Sequence, residues 1–492
     1  MTTTTEGVVA SAHGKANVER APRDFRPFLT WTAAALAAGI FTVVPWLLLG
    51  TAGAMIGAGT LVGIAMVAVA LRRFAIFLVL VLLVRPVLDH LKFGTETSLF
   101  ELTSLLSLLF LVAGVLWLLA QREANGPAPL TVVWLITTAM AMFYLLSTAT
   151  SLHPSDSLTP FVKLASWFVM FLVVRRFATT EKNLRTLLIA CAACAVLPLF
   201  FAYYELITPG QGSFWEIRHG LKRLTSTFNL GNNFGRFLML FTVSGVALAS
   251  AWQVPPTTRS RVITRLGLLA LPIPFYFTFT RAAWIGVAVG VLVVFVVQDR
   301  RLAPLLMVAV ALLAFAVPSA PSAIQTAARP EQTEYTNDSV AWRYQYWSKV
   351  IDLTKGHEQL GIGPGSLVLE GGKEAHNEYL RAFIENGVAG LTALLALIIS
   401  LFLAAVRVAR DRLLTPLRRG FGAAGAGVTA AVAAAGAASN IFDSISFMWY
   451  FAVLMGVVDA SLARSRAAAA PAVPSESISN EQAVGSEEEK GS

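Results

Sequence analysis

Apolar runs of roughly 17–25 residues, separated by short charged clusters, recur along almost the whole of this 492-residue chain. That spacing fixes the solvent before anything else. A helix rises about 1.5 Å per residue, so about 20 apolar residues cover the hydrocarbon core of a bilayer. Only 14% of the residues are charged, against about a quarter in soluble domains. A soluble enzyme and a disordered scaffold are excluded. The formal net charge of +9 is dealt out in the loops between apolar runs instead of gathered on one face, so no nucleic-acid partner is expected. The lipid bilayer is the expected surrounding.

The fold class expected is an all-α polytopic integral membrane protein of about 14 transmembrane helices with a long helical extracytoplasmic loop. The spans fall near 29–49, 52–71, 74–93, 99–120, 130–151, 161–174, 184–207, 234–254, 266–280, 282–298, 302–318, 379–406, 421–439 and 445–462. Residues 1–28 read as a basic cytoplasmic tail with no signal-peptide cleavage site. Residues 29–318 hold transmembrane helices and an outer loop at 208–233. A long extracytoplasmic loop follows at 319–378, then C-terminal transmembrane helices at 379–462 and a disordered cytoplasmic tail at 463–492. With the N-terminus inside, Arg72, Arg73, Arg122, Arg175, Arg176, Arg300, Arg301, Arg418, Arg419 and Arg464 all fall in inner segments. Short basic loops stay cytoplasmic. The register therefore puts both termini in the cytoplasm of a multi-pass plasma (inner) membrane protein.

Ionisable residues in or beside apolar spans are costly and mark function by default. Arg85, Asp89, Glu101, Lys163, Glu205, Arg236, Arg281 and Asp443 fall in the outer half of their spans or at its outer end, and Asp459 does not. A transporter keeps its polar site near the midplane, so this distribution points to a cavity open to the outer face.

The segment H-N-E-Y-L-R-A-F-I-E-N-G-V-A-G-L (376–391) begins where the long loop re-enters the membrane. His376 and Asn377 sit at a helix start, where the macrodipole favours the neutral imidazole that a general base needs. The bland alternative is a capping or interfacial histidine. Arg381 and Glu385 are spaced i, i+4 and suited to pairing. Upstream, R-L-T-S-T-F-N-L-G-N-N-F-G-R places Arg223 and Arg236 at the entry to a span, F-T-R-A-A-W-I-G places Arg281 at an outer junction, and W-R-Y-Q-Y-W places Arg343 on an aromatic helix expected to lie on the bilayer surface. Guanidinium groups bind phosphate bidentately and stay charged. Arginines at outer span ends thus point to an anionic, lipid-attached ligand such as a pyrophosphate, where single ones would read as headgroup contacts.

Other signals are weaker. Cys191 and Cys194 lie inside an apolar run and read as packing residues. G-I-G-P-G-S (361–366) reads as a turn in preference to a phosphate loop. Glu370 and Glu374 read as solvated, and no carboxylate pair suits a metal. G-A-A-G-A-G (422–427) and G-V-A-V-G (286–290) read as helix-packing surfaces.

H-N-E-Y-L-(x4)-E-N-G-(x2)-G-L resembles the signature of the O-antigen ligase and O-antigen polymerase superfamily of bacterial envelope glycosyltransferases. The segments R-L-T-S-T-F-N-L-G-N-N-F-G, F-T-R-A-A-W-I-G-V and R-Y-Q-Y-W-S-K-V-(x10)-G-I-G-P-G are similar to its other motifs in order and spacing, over about residues 215–400. The resemblance implies a metal-independent, cofactor-free transferase at the outer face. Its donor would be a glycan on undecaprenyl pyrophosphate, and its acceptor lipid A core or a second lipid-linked glycan. On that resemblance His376 is the base, Arg223, Arg281 and Arg343 bind the pyrophosphate, and Asn377, Arg381, Glu385 and Arg236 support them. A transporter or flippase for a polar or lipid-linked solute is the alternative, and it predicts charged or broken helices at mid-membrane.

Overall fold

A computed structural model describes residues 61, 63–89, 102–125, 129–208, 215–218, 221–250, 258–299 and 340–469. The expected spans 29–49 and 302–318, most of 52–71, Glu101, the loop residues 319–339, the N-terminal tail and residues 470–492 lie outside the described residues, while 463–469, expected as the start of the disordered tail, continue the last helix. The chain divides into two units, Met1–Ala68 and Val69–Ser492, and the site belongs to the second.

Helices α1 (Gly63–Arg72), α2 (Phe74–Leu88), α3 (Leu102–Asn125), α4 (Val132–Ala149), α5 (Pro154–Phe177), α6 (Glu181–Cys194) and α7 (Val196–Ile207) precede an antiparallel hairpin of β1 (Trp215–Arg218) and β2 (Leu221–Leu224). Helices α8 (Gly231–Ser250), α9 (Thr258–Leu269), α10 (Pro272–Phe277) and α11 (Arg281–Gln298) follow. The last group is α12 (Val340–Ile351), α13 (Ser366–Gly371), α14 (Glu378–Arg410), α15 (Pro416–Gly436) and α16 (Ile445–Ala469). Among the described residues, eight helical stretches are long and apolar enough to cross a membrane.

The protein is helical and suited to a bilayer, but the count of about 14 is not reached among the described residues. Two departures have local causes. The expected span 266–280 is split into α9 and α10, because Pro272 and Pro274 supply no backbone N–H and α10 is only 6 residues long. The expected span 74–93 yields an α2 of 15 residues that carries Pro86 and ends at Asp89. Helix α15 is 21 residues long and rich in alanine and glycine, and most of its residues are buried among its neighbours.

Helix ends sort consistently. Trp449 donates to Ser166 Oγ (3.0 Å) and Arg175 pairs with Asp459, so α5 and α16 run parallel. Gly290 of α11 lies against the backbone of Gly427 in α15, and Gly286 against Ala431, so these helices run antiparallel with their small residues in contact. At one end of the bundle Arg418 bonds Glu181 Oε1 (2.7 Å), Ser461 Oγ and the carbonyls of Ala178 and Thr179, while Arg464 reaches Thr179 O and Arg176 reaches Gln121 O. At the opposite end lie Asp89 with Ser446, Ser151 with Ser157 and Ser366, the N-terminus of α8, the Thr278–Arg281 turn and the N-terminus of α14. The basic inner-loop residues thus gather at one end, and the chemistry-bearing motifs at the other.

Candidate functional site

Helix α14 is broken near its start. Gly387 takes φ 65°, ψ −167°, which divides a short segment Glu378–Asn386 from a long apolar one. The backbone groups freed by that break bond the loop 358–363. Ile362 and Gly363 donate to the carbonyls of Ile384 and Glu385 (3.0 Å each), and Val388 and Ala389 donate to those of Glu358 and Gln359 (2.8 and 3.2 Å). Ser147 Oγ also donates to the Glu385 carbonyl (2.7 Å). The G-I-G-P-G-S loop is therefore more than a turn: it completes the hydrogen bonding of a helix interruption, as irregular backbone near lipid requires. The broken helix that the transporter reading predicts is present, but its open backbone groups are occupied by protein.

Asn377 caps α14, its side-chain oxygen accepting from Tyr379 N (3.0 Å) and Leu380 N (3.1 Å). His376 precedes the cap with φ 51°. Its loop is clamped from α12. Trp347 Nε1 donates to the Ala375 carbonyl (2.8 Å), the Tyr346 hydroxyl donates to the Lys373 carbonyl, and Tyr346 and Val350 join Ile362, Leu367, Ala375 and Ile384 in a buried cluster. The aromatic helix, expected to lie on the bilayer surface, packs one face against the histidine loop. Arg343 lies on α12, and its side chain is outside the described residues.

The arginines separate by environment. Arg223 is buried and donates from Nε to the Thr278 carbonyl (2.9 Å) and from Nη2 to Asn232 Oδ1 (2.6 Å) and Thr280 Oγ1 (3.2 Å). It ties β2 to the turn that launches α11. Arg281, the first residue of α11, is exposed. Arg236 is buried on α8 and donates to Asn233 Oδ1 (3.1 Å) and Ser439 Oγ (2.8 Å), while Asn233 donates to Asn229 Oδ1 (2.7 Å). The residue after Ser439, Asn440, donates to Glu374, two positions before His376. A polar chain thus joins the hairpin segment to the histidine loop.

Among the described residues, three non-glycine residues have positive φ: Ser226 (51°), Phe279 (49°) and His376 (51°). Each stands in one of the motif segments, three residues after Arg223, two before Arg281, and at the histidine itself. Such conformations cost about 1–3 kcal/mol each and persist where the surroundings impose them.

Beside the histidine loop, α4, α5 and the first turns of α14 enclose a cavity of about 280 Å³ whose polar lining includes Lys163, Glu374, Glu378, Arg381, Glu385 and Asp443. Arg381 pairs with Glu385 at 3.1 Å and approaches Asp443 at 3.9 Å. Glu378 accepts from Phe442 N (3.0 Å). The expectation that Glu370 and Glu374 are merely solvated is corrected here. Glu370 bonds His153 at 2.7 Å, 217 residues away in sequence, and Glu374 sits partly buried against Asn440, 66 residues away, and beside the carboxylates of α14.

Burial raises the Glu374 carboxyl from 4.5 to about 7; Arg381 opposes that shift, and Asp443, Glu385 and Glu378 add to it. The neutral acid is therefore the form the fold prefers. Stability supplied by this group is complete below pH 4.5 and is lost as pH rises through about 7. Between about pH 5 and pH 8 the wild type should lose up to ~3 kcal/mol relative to Glu374→Gln, read as diverging thermal midpoints in detergent. Parallel midpoint curves would show that Glu374 ionises freely in the fold.

The structure thus places His376, Asn377, Arg381, Glu385, Arg236, Arg223 and Arg281 at one end of the bundle. It brings Arg381 and Glu385 into the cavity, and it engages Arg223 and Arg236 in protein hydrogen bonds. Asn386, Glu374 and Glu378 were not among the expected site residues, whereas Lys163 and Asp443, expected only as ionisable residues facing an outward cavity, do line it. The spacing of Glu374, Glu378 and Glu385 across the start of α14 was the available signal.

The O-antigen ligase family model matches residues 266–395. No curated protein matches the chain. The matched segment contains Arg281, the aromatic helix, the docked glycine loop, His376 and the break at Gly387, which are the features that shape this end of the bundle. Residues 266–395 are thus similar to the O-antigen ligase family, which supports the resemblance of this chain to the O-antigen ligase/polymerase superfamily.

Proposed function

We propose that the protein transfers a glycan from undecaprenyl pyrophosphate to an acceptor hydroxyl, on lipid A core or on a second lipid-linked glycan, at the outer face of the plasma membrane, without a metal or other cofactor. The observation that carries this reading is the left-handed backbone of His376, held one residue before a helix cap by α12. Its presence within the matched family segment supports the same reading.

In this mechanism the His376 imidazole takes the proton of the acceptor hydroxyl. The oxygen attacks the anomeric carbon from the face opposite the leaving group. The anomeric C–O bond breaks, its electron pair stays on the pyrophosphate, and the product linkage is inverted. Arg281, exposed at the α11 N-terminus, is the residue best placed to meet the developing phosphate charge. Arg343 remains a second candidate from its position on α12. Arg223, engaged through Nε and Nη2 by Thr278, Asn232 and Thr280, positions the Arg281 turn in this reading. The gathering of basic inner-loop residues at the far end of the bundle supports cytoplasmic termini and an extracytoplasmic site.

The test is transfer from a lipid-pyrophosphate-linked glycan by the purified protein. Arg281→Ala should cost about 10²–10³-fold in turnover, and Arg281→Lys should recover only part because an ammonium lacks the guanidinium fork. Near wild-type turnover by Arg281→Ala would remove the anion from this helix end. In a deletion strain, single unpolymerised repeats on the acceptor identify a polymerase, and carriers loaded with full chains identify a ligase. An unchanged glycan profile with altered solute uptake would favour the transporter reading.

A further inference from the structure

The cavity beside the histidine loop is built for a ligand unlike the donor's pyrophosphate. Five carboxylates line it, on Asp156, Glu374, Glu378, Glu385 and Asp443, against the two cations of Lys163 and Arg381. Such a lining is net negative and repels a pyrophosphate. Carboxylates are, however, good acceptors for hydroxyl donors.

A second observation is independent of charge. Asn386 is 5% exposed and lines the cavity, and among the described residues its side-chain oxygen has no hydrogen-bond partner. The Nη1 of Arg381, also lining the cavity, is likewise without one. Buried polar atoms of this kind normally find partners, and here the cavity is where one would sit. The rest of the lining includes apolar and aromatic side chains, among them Tyr144, Trp167 and Leu394. The volume of about 280 Å³ is at the small end of ligand pockets.

We infer that this cavity is the acceptor subsite, taking one hydroxyl-rich, phosphate-free sugar unit of the acceptor glycan. The inference rests on the transferase reading above. Glu374 and Glu378 line the cavity two residues to either side of His376. A sugar seated among them therefore lies beside the proposed base, with the donor's phosphates kept to the arginine side of α14.

The test is steady-state kinetics of the full-length protein in nanodiscs. The probes are a lipid-pyrophosphate-linked glycan donor and acceptor glycolipid extracted from the source membranes. Leu369→Trp fills the cavity from its exposed rim, since Leu369 is 48% exposed and demands no repacking of the core. Asp443→Asn, at a half-exposed carboxylate, removes one charged acceptor without removing bulk. Leu369→Trp should raise the acceptor KM about ten-fold, and Asp443→Asn by about ten-fold or more, the cost of one hydrogen bond to a charged group. The donor KM and the kcat at saturating acceptor should both stay within about two-fold. A rise in donor KM instead, or an unchanged acceptor KM in both variants, overturns the assignment while leaving the transferase intact. Wild-type protein that transfers no glycan would overturn the transferase reading, and this inference with it.

Discussion

His376→Asn is expected to lower glycan transfer by about 10²–10⁴-fold, the usual contribution of a positioned general base, while the protein stays folded and abundant in the membrane. Asparagine is the informative replacement because His376 has φ 51°, a region that Asn tolerates and Ala does not. His376→Ala would remove the imidazole and add strain to a loop already clamped by Trp347 and Tyr346, so loss of activity and loss of structure would be mixed. His376→Gly separates the two effects from the other side. It should relieve about 1 kcal/mol of left-handed strain, and raise the thermal midpoint accordingly, while remaining as inactive as the Asn variant. A residue whose removal stabilises the protein and abolishes turnover is held in place for chemistry. Turnover by His376→Asn above half that of wild type would show that the acceptor proton is taken elsewhere.

The division between what the sequence disclosed and what it hid follows from the range of the forces involved. Hydropathy and the distribution of arginines are local or additive signals. They located most of the described spans, and they sorted Arg175, Arg176, Arg418 and Arg464 away from Arg223, Arg281 and His376. The helix starts at Arg281 and at His376–Asn377 were also legible, because a helix start is decided within about four residues, though the cap itself falls to Asn377 and not to the histidine. Pairings across the chain were not. Glu374 reads as a surface acid until Asn440 and the α14 carboxylates close around it. Arg223 has the motif of an anion binder, yet Thr278 and Thr280, more than fifty residues on, take up its donors. The break in α14 was hidden for the same reason. The stretch from Glu378 to Arg410 keeps an apolar helical pattern throughout, and only the docking of residues 358–363 makes an interruption affordable.

That interruption is the basis of the largest stability effect expected in the protein. Gly387→Ala should cost several kcal/mol, on the order of 10 °C in thermal midpoint, or clear the protein from the membrane. Two penalties coincide. The backbone at φ 65° excludes a side chain on conformational grounds, and a Cβ there would lie 2.2 Å from the carbonyl oxygen of Gln359. Backbone against backbone has no rotamer with which to yield, so the loop would have to leave, exposing the hydrogen-bonding groups at Ile384, Glu385, Val388 and Ala389 together. Gly356→Ala is the matched control. It has φ 83° but open space around the added carbon, so it should show only the left-handed penalty of about 1 kcal/mol. Equal losses in the two variants would mean that the loop does not dock on the break. A much greater loss at Gly387 would tie the glycine loop to function as well, because the same break sets Glu385 and Asn386 into the cavity and leaves the 23 residues from Val388 to Arg410, about 34 Å of helix, to cross the membrane alone. The residues that fix where α14 stops being helical therefore also fix where its polar side chains meet the outer face.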